Sequence, residues 1–414
     1  MVGITSRASS DPPARVPNAA QPLLLHVLPT FGVGGVQVRT AEIVNHLGSA
    51  YRHAIIALNG NHSCQSHLSG NAEVEFLPVP IKRKQTVNAV SAARAQLRRI
   101  RPDLLLTYNW GSTEWAFANM LRPLCPHLHF EDGFGSDEAD RQLRRRVWFR
   151  RAALARTEQI IVPSHTLAQI ATRVWKLSPD KVTHIPNGVD CSRFTEQPDV
   201  NADFDFSRRG SELIVGTVAP LRPEKNLGLL LDAVAKISDR FDIRLLIVGD
   251  GQERGTLMRR AETLGIADRI EFTGHIEAVE KALAVFDVFA LTSRTEQMPF
   301  GVLQAMAAGK PIAAFDVGDV KSMLSPENRP FVTPKDDLPG FRQSLSRLLE
   351  DTAARNRIGT RNRGHVQKHY PHDRMLEAYR KLFETIMSGR EIGDRKTAPL
   401  VRRPERESRT FSDV

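Results

Sequence analysis

Long apolar runs are missing from this 414-residue chain. No stretch approaches the roughly 18–20 residues that a membrane-spanning helix needs, so a helical span is excluded. Cysteine is scarce. Cys64, Cys125 and Cys191 stand far apart, which excludes a disulfide framework or a cysteine-based zinc site and fits a reducing cytosol. Met1–Gln21 lacks a charged-then-apolar leader pattern; it is rich in Ser, Pro and Ala and reads as a flexible arm. Zinc-finger spacing, RNP-like runs and basic patches interleaved with aromatics are absent, which argues against nucleic acid as a partner. Acidic residues fall short of basic ones, 47 against 57, leaving a net charge of +10. Such an excess attracts phosphates, whether on lipid, nucleic acid or nucleotide.

What is present is a soluble α/β pattern. The length suits two domains, each large enough for its own core. Apolar runs read as strands at Leu23–Leu28, His53–Leu58, Val74–Leu77, Leu104–Thr107, Gln159–Val162 and Val182–Ile185, and His127-Leu-His-Phe-Glu-Asp-Gly133 ends another short strand. Helices are expected at Val36–Leu47, Val87–Ile100 and Ser164–Trp175. The second half repeats the alternation, with strands at Leu213–Thr217, Ile243–Val248, Arg269–Phe272, Val285–Leu291, Pro311–Phe315 and Phe331–Thr333. Its helices are expected at Leu227–Ile237, Glu253–Leu264, Ala278–Ala284, Phe300–Ala308, Leu338–Glu350, Ala353–Tyr370 and Asp373–Met387. Strand–helix alternation of this kind makes doubly wound parallel sheets.

Four strand ends carry chemistry. Pro29-Thr-Phe-Gly-Val-Gly-Gly35 joins a strand to a helix, and glycine lets backbone N–H groups approach a phosphate. Gln37 stands where a dinucleotide fingerprint needs its third glycine, so a nicotinamide reading is weak. Ala219-Pro-Leu-Arg-Pro-Glu-Lys-Asn226 offers Arg222 and Lys225, two cations able to stabilise a departing diphosphate. Gly249-Asp-Gly251 is either a nucleotide-lining turn or a close-packed β-to-α turn. Ser293-Arg-Thr-Glu-Gln-Met-Pro-Phe-Gly-Val-Leu-Gln-Ala-Met-Ala-Ala-Gly-Lys-Pro311 is strand end, loop, helix and strand. Pro299 sits at the helix entrance, where a missing N–H costs nothing, and Gly309 past its end. This places the carboxylate of Glu296 beside free N–H groups at Phe300, Gly301 and Val302. The combination suits a ligand with an anionic part and hydroxyls, such as a sugar nucleotide.

Other features have plainer readings. Arg141–Arg156 holds seven arginines and no acid. It is a basic helix, either solvated or turned to an anionic acceptor or membrane surface. His127-Leu-His-Phe-Glu-Asp-Gly133 puts His127, His129 and Glu131 on one strand face but supplies no second cluster, so no metal site is expected there. Asp203-Phe-Asp205 lies in a polar linker after no apolar strand, which also argues against a metal.

The Ser293–Pro311 stretch resembles the signature of the retaining glycosyltransferases of family 4, which have the GT-B fold. That signature is Glu, seven residues, Glu, followed by Ala-Met-Ala-x-Gly-x-Pro. Glu296 matches the first position, and Gln304 occupies the second. Pro186-Asn-Gly-Val-Asp190 resembles the family's hinge between domains. The resemblance implies two Rossmann-like doubly wound domains facing across a cleft. Its expected divisions are a flexible arm at 1–21, an acceptor-side domain at 22–185, hinge and linker at 186–210, a donor-side domain at 211–370, a crossing helix at 371–387 and a disordered tail at 388–414.

The resemblance also implies roles. Gly34 and Gly35 would face the donor diphosphate, Lys225 would neutralise it, and Arg222 would substitute for an arginine that the family places at Pro220. Gly249 would line the nucleotide pocket, Glu296 would bind sugar hydroxyls, and Gln304 would meet the ribose with an amide in place of a carboxylate. His129 is the best match to a strand-end histidine near the sugar. The implied function is retaining transfer of a sugar from a nucleoside diphosphate sugar to an acceptor hydroxyl, in polysaccharide, lipopolysaccharide or glycolipid assembly. No metal and no cofactor beyond the nucleotide sugar are expected, and the place is the cytoplasm or the inner membrane face. The alternatives are a catalytically silent nucleotide-sugar-binding protein, which Gln304 and Pro220 would suit, and a nucleotide-sugar epimerase.

Overall fold

The computed structural model describes residues 21–79, 86–194 and 206–397. Asp203-Phe-Asp205, the arm up to Ala20 and the tail from 398 lie outside the described residues. Seven strands, β1 (Leu23–Leu28), β2 (Arg52–Ala57), β3 (Glu73–Phe76), β4 (Leu104–Tyr108), β5 (His127–Phe130), β6 (Gln159–Val162) and β7 (Val182–His184), form one sheet. Their order is β3-β2-β1-β4-β5-β6-β7. Six more, β8 (Leu213–Val218), β9 (Ile243–Val248), β10 (Ile270–Gly274), β11 (Val288–Leu291), β12 (Ile312–Phe315) and β13 (Val332–Thr333), form a second, ordered β10-β9-β8-β11-β12-β13. Every strand pairing in both sheets is parallel.

The inner strands of a parallel sheet are buried on both faces, which is why runs such as Leu23–Leu28, Leu104–Tyr108 and Leu213–Val218 are mostly apolar. Along β1, Leu24 and Leu28 pack with helix Gly35–Leu47, while Leu25 and Val27 pack with Ala93 and Leu97 of helix Thr86–Ile100 on the other side. Alternation on the strand thus divides one run between two cores. The last helix, His372–Thr397, returns to the first sheet and buries Met375, Leu376, Tyr379 and Phe383 in its core. Burying such side chains contributes about 1.5–3 kcal/mol each. The return is tight at the hinge: a Cβ on Gly188 would lie 2.9 Å from the backbone of Pro371 and His372.

Four expectations need correction. Val285 closes helix Val279–Val285, and β11 begins only at Val288, because Asp287 is held in the intervening loop by Ile214 and Arg208. Helix Thr113–Leu121 was not expected; its Trp, Ala, Phe, Met and Leu side chains leave no polar stripe to mark a helical period. The final helix runs to Thr397 rather than ending near Met387. The basic run folds as helix Arg144–Ala153, and it is not solvated throughout: Arg150 is fully buried and bonds both oxygens of Glu138 at 3.1 and 2.9 Å.

In each sheet the strand order reverses once, between β1 and β4 and between β8 and β11. The crevice outside the strand ends at such a reversal is where open α/β sheets bind ligands. The glycine loop follows β1, the Lys225 loop follows β8 and the Glu296 loop follows β11, so both reversals carry loops that the sequence marks for chemistry.

A polar string is buried under the first sheet. His26 lies 3.0 Å from His53 and 3.0 Å from the Tyr108 hydroxyl. Burial lowers the His53 pKa from 6.5 to about 4. The folded chain therefore holds this ring neutral while an unfolded chain protonates it below 6.5. That stability is complete above pH 6.5 and lost as pH falls toward 4, about 3 kcal/mol in full. We predict that Tm falls from pH 7 to pH 4 and that His53→Asn falls less steeply over this window. Parallel slopes for the two proteins would remove His53 as a cause.

Candidate active site

Backbone and side-chain bonds stitch the two loops of the second sheet together. Thr292 Oγ1 donates to the carbonyls of Lys225 and Asn226 at 3.4 and 3.2 Å, and the Arg294 N–H donates to the Glu224 carbonyl at 2.8 Å. Asn226 turns the chain with φ 51°. These bonds bring the Lys225 Nζ to 2.6 Å from Glu296 Oε1, with the two side chains only 17 % and 10 % exposed. The Glu296 loop lies against Gly318, where a Cβ would come within 2.3 Å of the Glu296 carbonyl; φ there is +57°. Any residue but glycine would push Glu296 out of place. Arg222 lies apart from this pair. Its side chain is 59 % exposed and, among the described residues, pairs only with Glu224, at 4.0 Å.

Helix Phe300–Ala307 begins four residues after Glu296, with Pro299 as its N-cap, and Gly309 follows in the left-handed region at φ 67°. Val302 N–H donates to the Pro299 carbonyl, so the free N–H groups of this first turn are those of Phe300 and Gly301. Gly301 is tight against the end of β8, since a Cβ would stand 2.9 Å from the Val218 carbonyl. Gly249, with φ +132°, packs against Ala219 so closely that a Cβ would meet its carbonyl at 2.1 Å. Gly251 does the same at Leu221, so the Gly249–Gly251 turn is first of all a close-packed turn that shapes the Lys225 loop. Gln304 is half-buried on the same helix, and its amide bonds no other described residue.

The first lobe supplies the opposite wall. A Cβ on Gly35 would lie 2.6 Å from the Phe300 ring, so the glycine loop meets the start of the second lobe's helix directly. Gly34 caps helix Gly35–Leu47 in extended backbone. Asn109, after β4, holds φ 55°, a conformation uncommon outside glycine, and its side chain accepts from the Asp132 N–H at 2.7 Å. Further ties cross between lobes. Ser164 Oγ donates to Gln297 at 2.9 Å, and the Asp319 carboxylate accepts from the His165 and Thr166 N–H groups at 2.7 and 3.0 Å. At the rim, Asp140 pairs with Arg294 at 3.3 Å and with Lys335 at 2.7 Å.

His129 is fully buried in β5 rather than open to the crevice. Its Nδ1 meets Thr107 Oγ1 at 2.8 Å, and its Nε2 stands 3.5 Å from Glu131. Thr107 also meets His127 Nε2 at 2.7 Å, so the two histidines form part of one interior network. Burial, then the neighbouring His129, keep the His127 pKa well below its usual value. Among the described residues, no group of three or more His, Cys, Asp or Glu side chains could hold a metal ion. The fold brings together Lys225, Glu296, Phe300, Gly301, Gly34 and Gly35, and leaves Arg222 and His129 outside that group. Sequence reading missed Gln297, Asp319, Arg39 and Asn187. Asp319 follows a glycine at the end of β12, a strand-end signal that was there to be read; the other three are recognised only through partners more than 90 residues away.

Comparison with known proteins agrees with this arrangement. The family model for glycosyltransferase family 4 matches residues 33–193, and that for glycosyl transferases group 1 matches residues 212–351. The chain is 24 % identical over 237 residues to an N-acetyl-alpha-D-glucosaminyl L-malate synthase from Bacillus anthracis, covering 57 % of this chain and 62 % of that protein. It is 28 % identical over 217 residues to a GDP-mannose-dependent monoacylated alpha-(1-6)-phosphatidylinositol monomannoside mannosyltransferase from Corynebacterium glutamicum, covering 49 % and 56 %. The matches thus span less than two thirds of these relatives' lengths. Among solved structures, a sucrose-phosphate synthase from Thermosynechococcus elongatus superposes with a TM-score of 0.75 at 20 % identity, over 89 % of this chain and 100 % of that one. The Anabaena Alr3699/HepE protein in complex with UDP and glucose superposes with a TM-score of 0.71 at 17 % identity, over 87 % and 99 %. Two family matches, one on each lobe, and two parallel sheets reversing at facing crevices lead to one conclusion: the chain belongs to the group 1, family 4 glycosyltransferases, and its fold is GT-B.

Proposed function

We propose that the protein transfers a hexose from a nucleoside diphosphate sugar to an acceptor hydroxyl with retention of configuration, in the assembly of a polysaccharide, lipopolysaccharide or glycolipid. The observation that carries this reading is the Lys225–Glu296 pair at the reversal point of the second sheet, facing the glycine loop of the first. In the proposed reaction the bond from the anomeric carbon to the diphosphate oxygen breaks and the acceptor oxygen bonds to that carbon. The acceptor proton passes to the departing diphosphate, so no separate base is needed. Lys225 and the N–H groups of Phe300 and Gly301 stabilise the charge that grows on the leaving group, which is the largest lever available in a site screened from water. Glu296 takes hydrogen bonds from sugar hydroxyls, and its pairing with Lys225 keeps both groups oriented before a ligand arrives. The reading includes independence from divalent metal, because these donors already meet the diphosphate.

Two features refine the donor and acceptor sides. Gln304 keeps a carbonyl acceptor but lacks a charge, and a charged acceptor is worth about 1.5–3 kcal/mol against 0.5–1.5 for a neutral one. On helix Arg144–Ala153 of the first lobe, Trp148 is 67 % exposed beside exposed Arg144, Arg145 and Arg151. No described helix is long and apolar enough to cross a membrane. An exposed indole among arginines suits the headgroup level of an anionic lipid surface. We infer a lipid-linked acceptor at the inner face of the membrane.

The test of the function is a thermal-shift panel of UDP, GDP and their sugar conjugates, followed by transfer assays with product anomers read by NMR, since bound ligand raises Tm by mass action. A sugar nucleotide that stabilises the protein and is transferred with its anomeric configuration kept supports the reading; turnover without acceptor would point to an epimerase instead. Lys225→Ala is expected to lower kcat by about 10²-fold or more, the usual loss for one such donor; a kcat within twofold of wild type would exclude Lys225 from the charge-stabilising role. Gln304→Glu is expected to keep or tighten donor affinity by about tenfold; a large loss would give this position another job. Replacing Arg144, Arg145 and Arg151 with Gln is expected to weaken sedimentation with phosphatidylglycerol vesicles, and unchanged sedimentation would remove the membrane contact.

A further inference from the structure

Arg39 lies one turn into helix Gly35–Leu47 and is 1 % exposed. Its guanidinium grips Asp132 with both terminal nitrogens, at 2.7 Å from Oδ1 and 2.9 Å from Oδ2. A buried arginine needs no more than that to be paired. Yet Nη1 also donates to the Asn187 side-chain oxygen at 2.8 Å, and Asn187 Nδ2 in turn donates to the Met298 carbonyl at 2.8 Å. Met298 is two residues beyond Glu296. Arginine can only donate and a carbonyl can only accept, so the Asn187 amide is fixed in one orientation between them. The string therefore runs from the helix behind the glycine loop, through the hinge, into the loop that carries Glu296. Its members are 148 and 111 residues apart in sequence. Tyr379 of the returning helix lies against the same guanidinium, its ring centre 5.9 Å from Cζ. On the other side, Ser164 holds Gln297, so the Glu296 loop is gripped at two adjacent residues by the first lobe.

We propose that Arg39 is a positioning residue that acts through Asn187 to hold the Glu296 loop in register with the first lobe, and so sets how firmly the sugar part of a bound nucleotide sugar is gripped. The proposal rests on the glycosyl-transfer reading above for the ligand, but not for the coupling. A lysine could pair with Asp132, but it is a single point donor without the rigid fork that serves Asp132 and Asn187 together. The sugar is where the effect falls, because Glu296 is the residue set aside for its hydroxyls, whereas the diphosphate is met by Lys225 and by the helix at Phe300.

The experiment uses the full chain with Asn187→Ala, which breaks the string but leaves the Arg39–Asp132 pair intact, and with Arg39→Lys. The first measurement needs no ligand: hydrogen exchange in the segment 292–298, against helix Phe300–Ala307 and β9 in the second lobe's core. The second compares affinity for UDP with that for UDP-glucose, and for GDP with that for GDP-mannose, in wild type and variants. The expected result is exchange raised severalfold in 292–298 and unchanged in the helix and in β9. Affinity for the bare diphosphate is then kept, while affinity for the sugar conjugate drops about threefold to tenfold, the range of one hydrogen bond. Unchanged exchange at 292–298 in both variants overturns the coupling, and so does an equal loss of affinity for diphosphate and conjugate. If wild type binds none of these compounds while exchange in 292–298 still rises, the coupling stands and the transfer reading falls.

Discussion

A single partly buried ion pair organises this molecule's functional face. Lys225 and Glu296 come from loops 71 residues apart and meet at 2.6 Å because β8 and β11 lie side by side where the second sheet reverses its order. Neither group would keep its place in open solvent, where such a pair is worth less than about 1 kcal/mol. Here Thr292, Arg294 and Gly318 fix the backbone on either side. Each member of the pair keeps the other oriented, and the proposed reaction turns the cation to a phosphate and the carboxylate to hydroxyls.

The second constraint is closeness between lobes. Gly35 against Phe300 and Gly188 against Pro371 are approaches that a side chain would spoil. Hydrogen bonds from Ser164, Asn187 and Asp319 cross the same boundary. The Asn187–Met298 bond is buried and backed by the buried Arg39, and leaving a buried polar group unpaired costs about 1–3 kcal/mol, so the boundary is specified on the hinge side. At the outer rim it rests on the exposed Asp140 pairs, which contribute little. The two edges of the crevice thus differ in how they are held, by buried bonds at the hinge and by exposed ion pairs at the mouth.

Much of this was legible in the sequence. Leu23–Leu28 and Ile243–Val248 read as strands because a parallel strand buried on both faces is mostly apolar, with one polar residue in each, His26 and Arg244. Pro299 and Gly309 bracketed their helix by backbone geometry alone. Glu296 and Lys225 were singled out because strand ends in such folds carry ligands, and the fold pairs them. What stayed hidden was depth and distance. The alternation in β5 placed His127, His129 and Glu131 on one face but could not say that this face is interior. The run Val285–Leu291 looked uniform, although Asp287 breaks it by accepting a backbone bond from Ile214. Arg39 and Asn187 meet only because two lobes fold against each other, and no local pattern announces a partner 148 residues away.

The central claim is that a sugar-bearing diphosphate occupies the gap between the two lobes. The most direct measurement is a crystal structure of the protein soaked with the nucleotide sugar that raises its Tm most. The account predicts the diphosphate against Lys225 and the Phe300–Gly301 N–H groups, with the sugar against Glu296 and the glycine loop. A gap left empty, or a diphosphate bound elsewhere while the Lys225–Glu296 pair stays as it is, would contradict it.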